Sequence, residues 1–372
     1  MKTITHIVNS KSFLGWIQES VLGRNYKNNF ILLDLHNANV FEVQGGYCKF
    51  SIDQFGKTKL LSIINESDYV IHYFLDYTKS ELIVQSNSNV KHFWYFFGGD
   101  VYQQINSFRK NIFLPETKRW MRYNWSYRYR IEFRNFYYKY VKRIVTPEKM
   151  MLDSVKRIDS LLWYIEDEYN FINKNFTLPE FKYYKFFKFR DVFPFKESRL
   201  DGSMNKILLG NSSAVENNHL DFLPIMKGVK FEGEIALSFS YGDQLGYKKY
   251  VKKNFKRHIN SKVTFIEEMM PLNKYYEWLN SFNTAVMLHS RQQALGNIFY
   301  LIANGSKLYM NENNLIYNWL LKIGVRVFSF EKDFKTHLER KEMNLSSVQK
   351  KENFQALKNE LSRESDFFNN LD

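Results

Sequence analysis

An α/β chain built from two parallel-sheet domains is predicted by three observations: apolar strand-like runs alternate with helical patterns, the alternation comes in two series, and a polar stretch at 196–203 separates them. Strands that alternate with helices imply parallel pairing, because a parallel neighbour is reached only through a crossover. The length of 372 residues exceeds the roughly 250 to 300 residues that one core fills efficiently. Two domains are therefore expected, over 1–200 and 201–345, with a helical tail over 346–372.

The first series opens with Ile4-Thr5-His6-Ile7-Val8, a buried strand ending in the polar Asn9-Ser10-Lys11-Ser12. Phe13, Trp16, Ile17 and Val21 then recur at helical spacing. Phe30 to Leu35, Tyr69 to Phe74 and Lys91 to Phe97 supply further strands, each bounded by polar or glycine-containing turns. The polar stretch Lys196 to Ser203 is the expected hinge. The second series runs Lys206 to Leu209, Ile235 to Phe239, Lys262 to Ile266, Thr284 to Leu288, Lys307 to Met310 and Val325 to Phe328, with helices between, as around Tyr275 to Leu279. In the tail, Phe354, Leu357 and Leu361 at three- and four-residue spacing predict a helix docked by one narrow apolar stripe. No fixed-period repeat or low-complexity tract is present, which argues against a solenoid or a disordered linker.

Composition narrows the function classes. The single cysteine, Cys48, forms no intrachain disulfide, and no secretory leader pattern opens the chain, so a reducing cytosol is expected. No run of about 18 apolar residues appears, so contact with lipid would be made from the surface. The net charge of +14 suits an anionic partner: nucleic acid, a phospholipid surface or a diphosphate substrate. The abundance of Lys, Asn, Phe and Tyr is also what an AT-rich genome produces. Neither an Asp-x-Asp pair nor a Cys/His cluster with zinc spacing is present, and no metal or cofactor is expected.

The most informative stretch is 286–310: an apolar strand, a polar turn with Ser290, Arg291, Gln292, Gln293, Gly296 and Asn297, an apolar helix, then Gly305 before another strand. A strand feeding a helix through such a turn aims backbone N–H groups and the positive end of the helix dipole at a ligand, and an arginine there can grip two phosphate oxygens. We read it as a nucleotide-diphosphate site; many α/β proteins have polar strand-to-helix turns that bind nothing.

The pattern Ser290-Arg291-Gln292-Gln293-x-x-Gly296 with Ala303-Asn304-Gly305 resembles the donor-binding half of glycosyltransferase family 56, the TDP-N-acetylfucosamine:lipid II N-acetylfucosaminyltransferases of enterobacterial common antigen synthesis. Leu209-Gly210-Asn211-Ser212, Asn218-His219, and Gly98-Gly99-Asp100-Val101-Tyr102 after the aromatic run His92 to Phe97 are similar to landmarks of that family in the same order. The resemblance covers roughly 68–330. It implies a GT-B fold, two Rossmann-like domains facing each other across a cleft, and a metal-independent glycosyltransferase. The chain departs from the family with Ala294-Leu295 where a Gln-Gln-Gly-Ile-Gly run is expected and with a longer, more basic middle segment. Both departures bear on the identity of the sugar.

Gly210, Asn211 and Ser212 follow a strand and are expected to offer amide and hydroxyl donors to diphosphate or sugar oxygens; an ordinary Asn/Ser turn has the same composition. Asn218 and His219 open the next helix, where the family pattern favours ligand contact and simple packing is the alternative. Tyr241 lies in the following turn. Glu268, at the end of the strand 262–266, is placed to bind ribose or sugar hydroxyls, a solvated turn being its alternative role, and the family resemblance aligned at Tyr275 implies Glu268 rather than Glu267. Arg291 is expected to stabilise the departing diphosphate.

On the acceptor side, glycosyl transfer in its usual inverting form needs a base beside the attacking hydroxyl. Asp100 after Gly98-Gly99 is the first candidate and a helix N-cap its alternative role; His72 is the second candidate base. Between 118 and 143, Arg119, Arg122, Arg128 and Arg130 interleave with Trp and Tyr against the single acid Glu132. A helix at a bilayer headgroup layer has this composition, each cation contributing about 1 kcal/mol on anionic lipid. Single-stranded nucleic acid and a plain solvated face are the other readings.

The expected protein is a peripheral enzyme on the cytoplasmic side of the bacterial inner membrane. It would transfer a deoxy-amino sugar from dTDP to a polyprenyl-diphosphate-linked saccharide, without nucleic acid as partner. A UDP- or GDP-sugar transferase, a basic nucleic-acid-binding protein and an inactive membrane scaffold are the rivals.

Overall fold

The computed structural model describes residues 1–192, 205–229 and 231–371; the expected hinge at 196–203 lies outside them. Packing divides the chain into one unit of 1–106, 135–191 and 364–372 and another of 107–134 and 192–363.

The first unit holds an eight-stranded sheet: β1 (Thr3–Val8), β2 (Lys27–Asp34), β3 (Phe41–Gln44), β4 (Tyr47–Ser51), β5 (Tyr69–Tyr73), β6 (Lys91–Tyr95), β7 (Ile158–Trp163) and β8 (Glu180–Tyr183), in the order β3-β4-β2-β1-β5-β6-β7-β8. Pairing is parallel throughout except for the β3–β4 hairpin at the edge. Side-chain caps start its helices: Asp53 accepts from the Gly56 amide before Gln54–Asn65, and Asp76 from the Lys79 amide before Tyr77–Gln85. These helices bury Leu60, Ile64 and Leu82 on the sheet beside Ile7, Ile31 and Val70. Much of the aromatic excess is core: Tyr73, Tyr95, Tyr184 and Phe186 form one contiguous cluster of rings.

The second unit holds six parallel strands: β9 (Lys206–Leu209), β10 (Glu234–Ser238), β11 (Lys262–Ile266), β12 (Thr284–Met287), β13 (Lys307–Met310) and β14 (Phe328–Ser329), in the order β11-β10-β9-β12-β13-β14. Renumbered within the unit this is 3-2-1-4-5-6, the Rossmann order, whose direction of winding reverses between β9 and β12. In open α/β sheets that point, beyond the carboxyl ends of the strands, is where ligands bind.

Two allocations differ from a linear division of the chain. Residues 107–134 pack with the second unit because Asn218 Oδ1 accepts from the Leu114 amide and Asp221 accepts from the amides of Glu116 and Thr117, while Trp120 stacks edge-on against Tyr247. The tail is shared. Helix Ser347–Leu361 carries a Ser346/Gln349 capping box and buries Leu357 and Leu361 with the polar Asn353, which binds both the amide and carbonyl of Arg326. Residues 364–372 rejoin the first unit, where the Leu371 carbonyl accepts from the Tyr69 hydroxyl. The strand expected at Val325–Phe328 shortens to Phe328–Ser329. Among the described residues no helix is long and apolar enough to cross a membrane.

Candidate functional site

At the switch point of the second sheet, the loops leaving β9 and β12 are tied together by side-chain amides. Asn217, fully buried, takes the Asn211 amide on its Oδ1 at 2.9 Å, which identifies that atom as the oxygen. His289 Nε2 lies 2.9 Å from the same oxygen and 3.1 Å from Asn211 Oδ1, so this nitrogen carries the proton and donates to both. Gln293 donates to Asn211 Oδ1, and Asn211 Nδ2 donates to the Tyr241 hydroxyl. Asn314 closes the rear by donating to the carbonyls of His289 and Arg291. The structure thus brings together Gly210, Asn211, Ser212, Tyr241, Ser290, Arg291, Gln292 and Gln293.

Burial sets the charge of this cluster. Desolvation pushes His289 and His219 down to about 3, with Arg291 adding to the effect at His289, so both rings are neutral at pH 7. His219 has no protein partner for either ring nitrogen, and His289 Nδ1, Gln292 Oε1 and Gln293 Oε1 are likewise buried without protein hydrogen bonds. Buried polar atoms normally find partners, so such a concentration beside one loop is what a polar ligand or bound water satisfies. Gly210 is a geometric requirement: its φ is +67°, and a Cβ there would lie 2.8 Å from His219 Nε2.

The helix Leu295–Ala303 begins directly after this loop, and its N-cap residue makes no side-chain hydrogen bond. Its first amides point their partial positive charge outward, and a Cβ at Gly296 would meet nothing within 4 Å. Asn297 donates to the Tyr275 hydroxyl beside it. The N-cap is Ala294 with φ +58°, a left-handed conformation. The family glycine expected in this run is the residue such a backbone favours. Ala294→Gly should therefore raise stability by up to about 1 kcal/mol, as relief of the left-handed strain outweighs the added chain entropy. A lower urea midpoint for this variant would show the strain to be absent.

Several expected ligand residues are engaged elsewhere. Arg291 is held by Glu216, its Nε donating to Oε2 at 2.8 Å and its Nη2 to the same oxygen, while Nη1 donates to the Gln292 carbonyl at 2.6 Å. The pair is buried, which makes Arg291 a brace between the two loops rather than an open phosphate clamp. Asn218, left-handed at φ +51°, spends its amide on the carbonyls of Ile112, Glu216 and Leu288 and on the Leu114 amide. It pins the backbone. Glu268 is exposed at the carboxyl end of β11, and the neighbouring Glu267 pairs with Lys248 and Lys252.

In the first unit, Asp100 is fully buried and accepts from Trp94 Nε1 at 2.8 Å and from the amides of Phe97 and Leu75. Burial pushes it up to about 6 against these hydrogen bonds. It sits inside the helix Gly99–Tyr102, whose N-cap is Gly98 at φ +81°. Gly98 and Gly99 are buried, and a Cβ on Gly99 would press on the Phe74 ring at 3.1 Å, so the two glycines serve the protein's own packing rather than substrate approach. His72 is equally enclosed in β5, hydrogen-bonded through Nε2 to His92 Nδ1, and held well below its ordinary value by desolvation. Neither candidate base presents an atom to a substrate hydroxyl, because both are 0% exposed.

The basic aromatic segment is interrupted rather than one helix. Asn124, with extended backbone, ends Pro115–Tyr123 and caps Trp125–Glu132, and a π-helical turn follows at Tyr137–Val141. Arg119 pairs with Glu116, and Arg122 is exposed; the side chains of Arg128 and Arg130 lie outside the described residues. Tyr123, Trp125, Tyr129, Phe136, Tyr140 and Val141 are all exposed.

Residues missed by sequence reasoning are Glu216, Asn217, His289 and Asn314. Glu216 and Asn217 sit directly before Asn218, and His289 directly before Ser290. Their residue types are plain in the sequence, but the partners that join one loop to another lie 23 to 78 positions away, a distance that only the sheet order bridges.

The chain matches the family model of the 4-alpha-L-fucosyltransferases, glycosyltransferase group 56, over residues 154–358. No curated protein matches it in sequence. Solved structures with the same fold include sucrose-phosphate synthase from Thermosynechococcus elongatus, at 8% identity and TM-score 0.64, covering 97% of this chain and 94% of that one. The trehalose-6-phosphate protein of E. coli bound with UDP-2-fluoro glucose is 9% identical with TM-score 0.58, covering 97% and 95%. An alpha-glucosyltransferase in complex with UDP and a 13-mer DNA containing a HMU base is 9% identical with TM-score 0.57, covering 98% and 96%. These neighbours share the GT-B fold.

Proposed function

The chain belongs to glycosyltransferase group 56, the 4-alpha-L-fucosyltransferase family, and from that premise we propose that it transfers a 4-acetamido-4,6-dideoxygalactose-type sugar from dTDP to a polyprenyl-diphosphate-linked saccharide. It works peripherally at the cytoplasmic side of the bacterial inner membrane. That it is a GT-B glycosyltransferase rests on the family and the fold. The donor and acceptor are our reading.

One observation carries the donor: the Rossmann switch point between β9 and β12 joins an uncapped helix N-terminus at Leu295 to a neutral, amide-rich loop with unpartnered buried acceptors. A diphosphate at that helix end receives backbone N–H bonds and the dipole without needing an arginine. Neutral His219 and His289 with Gln292 and Gln293 then face the sugar or the phosphates with both donors and acceptors. Rate acceleration comes from stabilising the diphosphate as it leaves. A pyrimidine base is consistent with the UDP and UDP-sugar analogue held by similar structures. For the acceptor, the exposed aromatic and basic residues over 119–141 supply the interfacial chemistry a lipid-linked substrate requires.

The test is calorimetric binding of dTDP, UDP, GDP and ADP to the full chain and to Gly296→Asp. Aspartate in the first helical turn favours the helix dipole, so the variant keeps its stability. It should nevertheless lose nucleotide affinity about tenfold or more, because the new carboxylate repels the diphosphate. Tight binding of a pyrimidine diphosphate that Gly296→Asp leaves untouched would move the donor away from this helix. No binding by any of the four would remove the donor reading.

A further inference from the structure

A cavity of about 830 Å³ lies within the second unit, formed by Pro115–Tyr123 and the start of Trp125–Glu132, the segment from Leu220 to Lys227, and helix Tyr247–His258. None of its lining residues enters the donor network described above. Its apolar lining is Trp120 and Leu220, both buried, half-buried Leu223, exposed Pro224, and Tyr250. It also carries two aromatic side chains that are largely exposed, Tyr123 at 81% and Trp125 at 76%.

The charge around it is one-sided. Arg119, Lys227 and His258 line the cavity against a single acid, Glu116, which Arg119 already pairs with at 2.9 Å. Lys227 and His258 are exposed and have no ion pair among the described residues. Helix Tyr247–His258 contains six lysines and arginines and no acid. Two of these, Lys248 and Lys252, are taken by Glu267. On the helix surface Tyr250, Asn254 and His258 form one row, and Lys253 and Arg257 form the next row outward, so the cationic strip continues from the cavity mouth.

We infer that this cavity seats an anionic phospholipid of the bilayer, with the phosphate at Lys227 and His258 and the proximal acyl carbons over Trp120, Leu220, Leu223 and Pro224. An apolar lining with Lys227 and a cationic strip beside it and Tyr and Trp at its rim is the arrangement that takes a headgroup and its adjoining chain together. A nucleic acid would use the cations but leave Leu220, Leu223 and Pro224 without a partner. The inference rests on the peripheral-membrane reading, and it assigns the second unit, which carries the donor site, a lipid contact of its own.

The probes are monomeric dihexanoyl-phosphatidylglycerol below its micelle concentration, glycerol 3-phosphate, and vesicles of phosphatidylcholine with and without phosphatidylglycerol, all applied to the full chain. The variant is the double Lys227→Glu, His258→Glu, with dTDP binding and the unfolding midpoint as controls for folding. Wild type should bind the monomeric lipid and the anionic vesicles, and the double variant should lose about thirtyfold in lipid affinity while its dTDP affinity stays unchanged. Equal affinity for glycerol 3-phosphate would make the cavity a simple anion site and overturn the lipid. Anionic-vesicle binding that the double variant retains would overturn the cavity while leaving the membrane reading intact. Absence of both monomer and vesicle binding would overturn both.

Discussion

Arg291→Ala is expected to lower the unfolding free energy by about 3 to 5 kcal/mol, because it strands the Glu216 carboxylate in a site it cannot leave. The two side chains are 7% and 10% exposed, and the guanidinium serves Glu216 through two nitrogens and the Gln292 carbonyl through the third. For a protein whose total stability is about 5 to 15 kcal/mol, that loss is a large fraction. Removing both charges tells brace from ligand: Glu216→Leu with Arg291→Met should recover most of the stability, since an apolar pair of similar volume avoids the desolvation of two ions. Urea unfolding of the two single variants and the double variant measures the coupling. If Arg291→Ala unfolds at the wild-type midpoint while losing nucleotide, the arginine is a phosphate ligand and the brace is wrong. Any loss of transferase activity in Arg291→Ala has to be read after this stability effect is known.

Asp100→Ala is expected to cost about 3 kcal/mol or more, since Trp94 Nε1 and the amides of Phe97 and Leu75 would all lose their acceptor in a fully buried position. Asp100→Asn separates hydrogen bonding from charge, because a carbonyl oxygen at the position of Oδ2 keeps those three donors satisfied. The wild-type carboxyl titrates at about 6 in the folded chain and near 3.8 when unfolded. Between these values the folded state holds a proton that the unfolded state has lost, so stability falls as pH rises from about 4 to about 6 and stays lowered above that. The size of the effect is about 3 kcal/mol. Asp100→Asn should flatten this slope, which chemical denaturation at a series of pH values will show. An unchanged slope in Asp100→Asn would place the titrating group elsewhere.

The legible part of the fold was carried by local pattern. Strands such as Ile4 to Val8, Tyr69 to Tyr73 and Thr284 to Met287 are fully buried and mostly apolar runs because both faces of a parallel sheet are covered. The edge strands β3 and β8 and the adjoining β4 are exposed or only partly buried, and charged residues such as Glu42, Lys49 and Lys182 break their alternation, so periodicity does not report them. β7 is apolar but follows a long basic stretch whose composition masked it. The tail helix was visible from its spacing, whereas Asn353 in its buried face was not, because its partners are the backbone groups of Arg326.

The sequence by itself determined the fold class and the family, since each is written in contiguous residues: an apolar strand, a polar turn and the helix that follows it. Tertiary structure alone decided which polar side chains in the loops leaving β9 and β12 keep unpaired atoms. Arg291 and Asn218 are consumed by Glu216 and by backbone groups, while His219, His289, Gln292 and Gln293 keep unpartnered atoms. It also decided that 107–134 joins the second unit and that Asp100 and His72 are interior groups. The reason is the same in each case. Burial and pairing depend on residues brought beside one another by the order of strands in the sheet, and that order leaves no mark on the short-range periodicity from which a single chain is read.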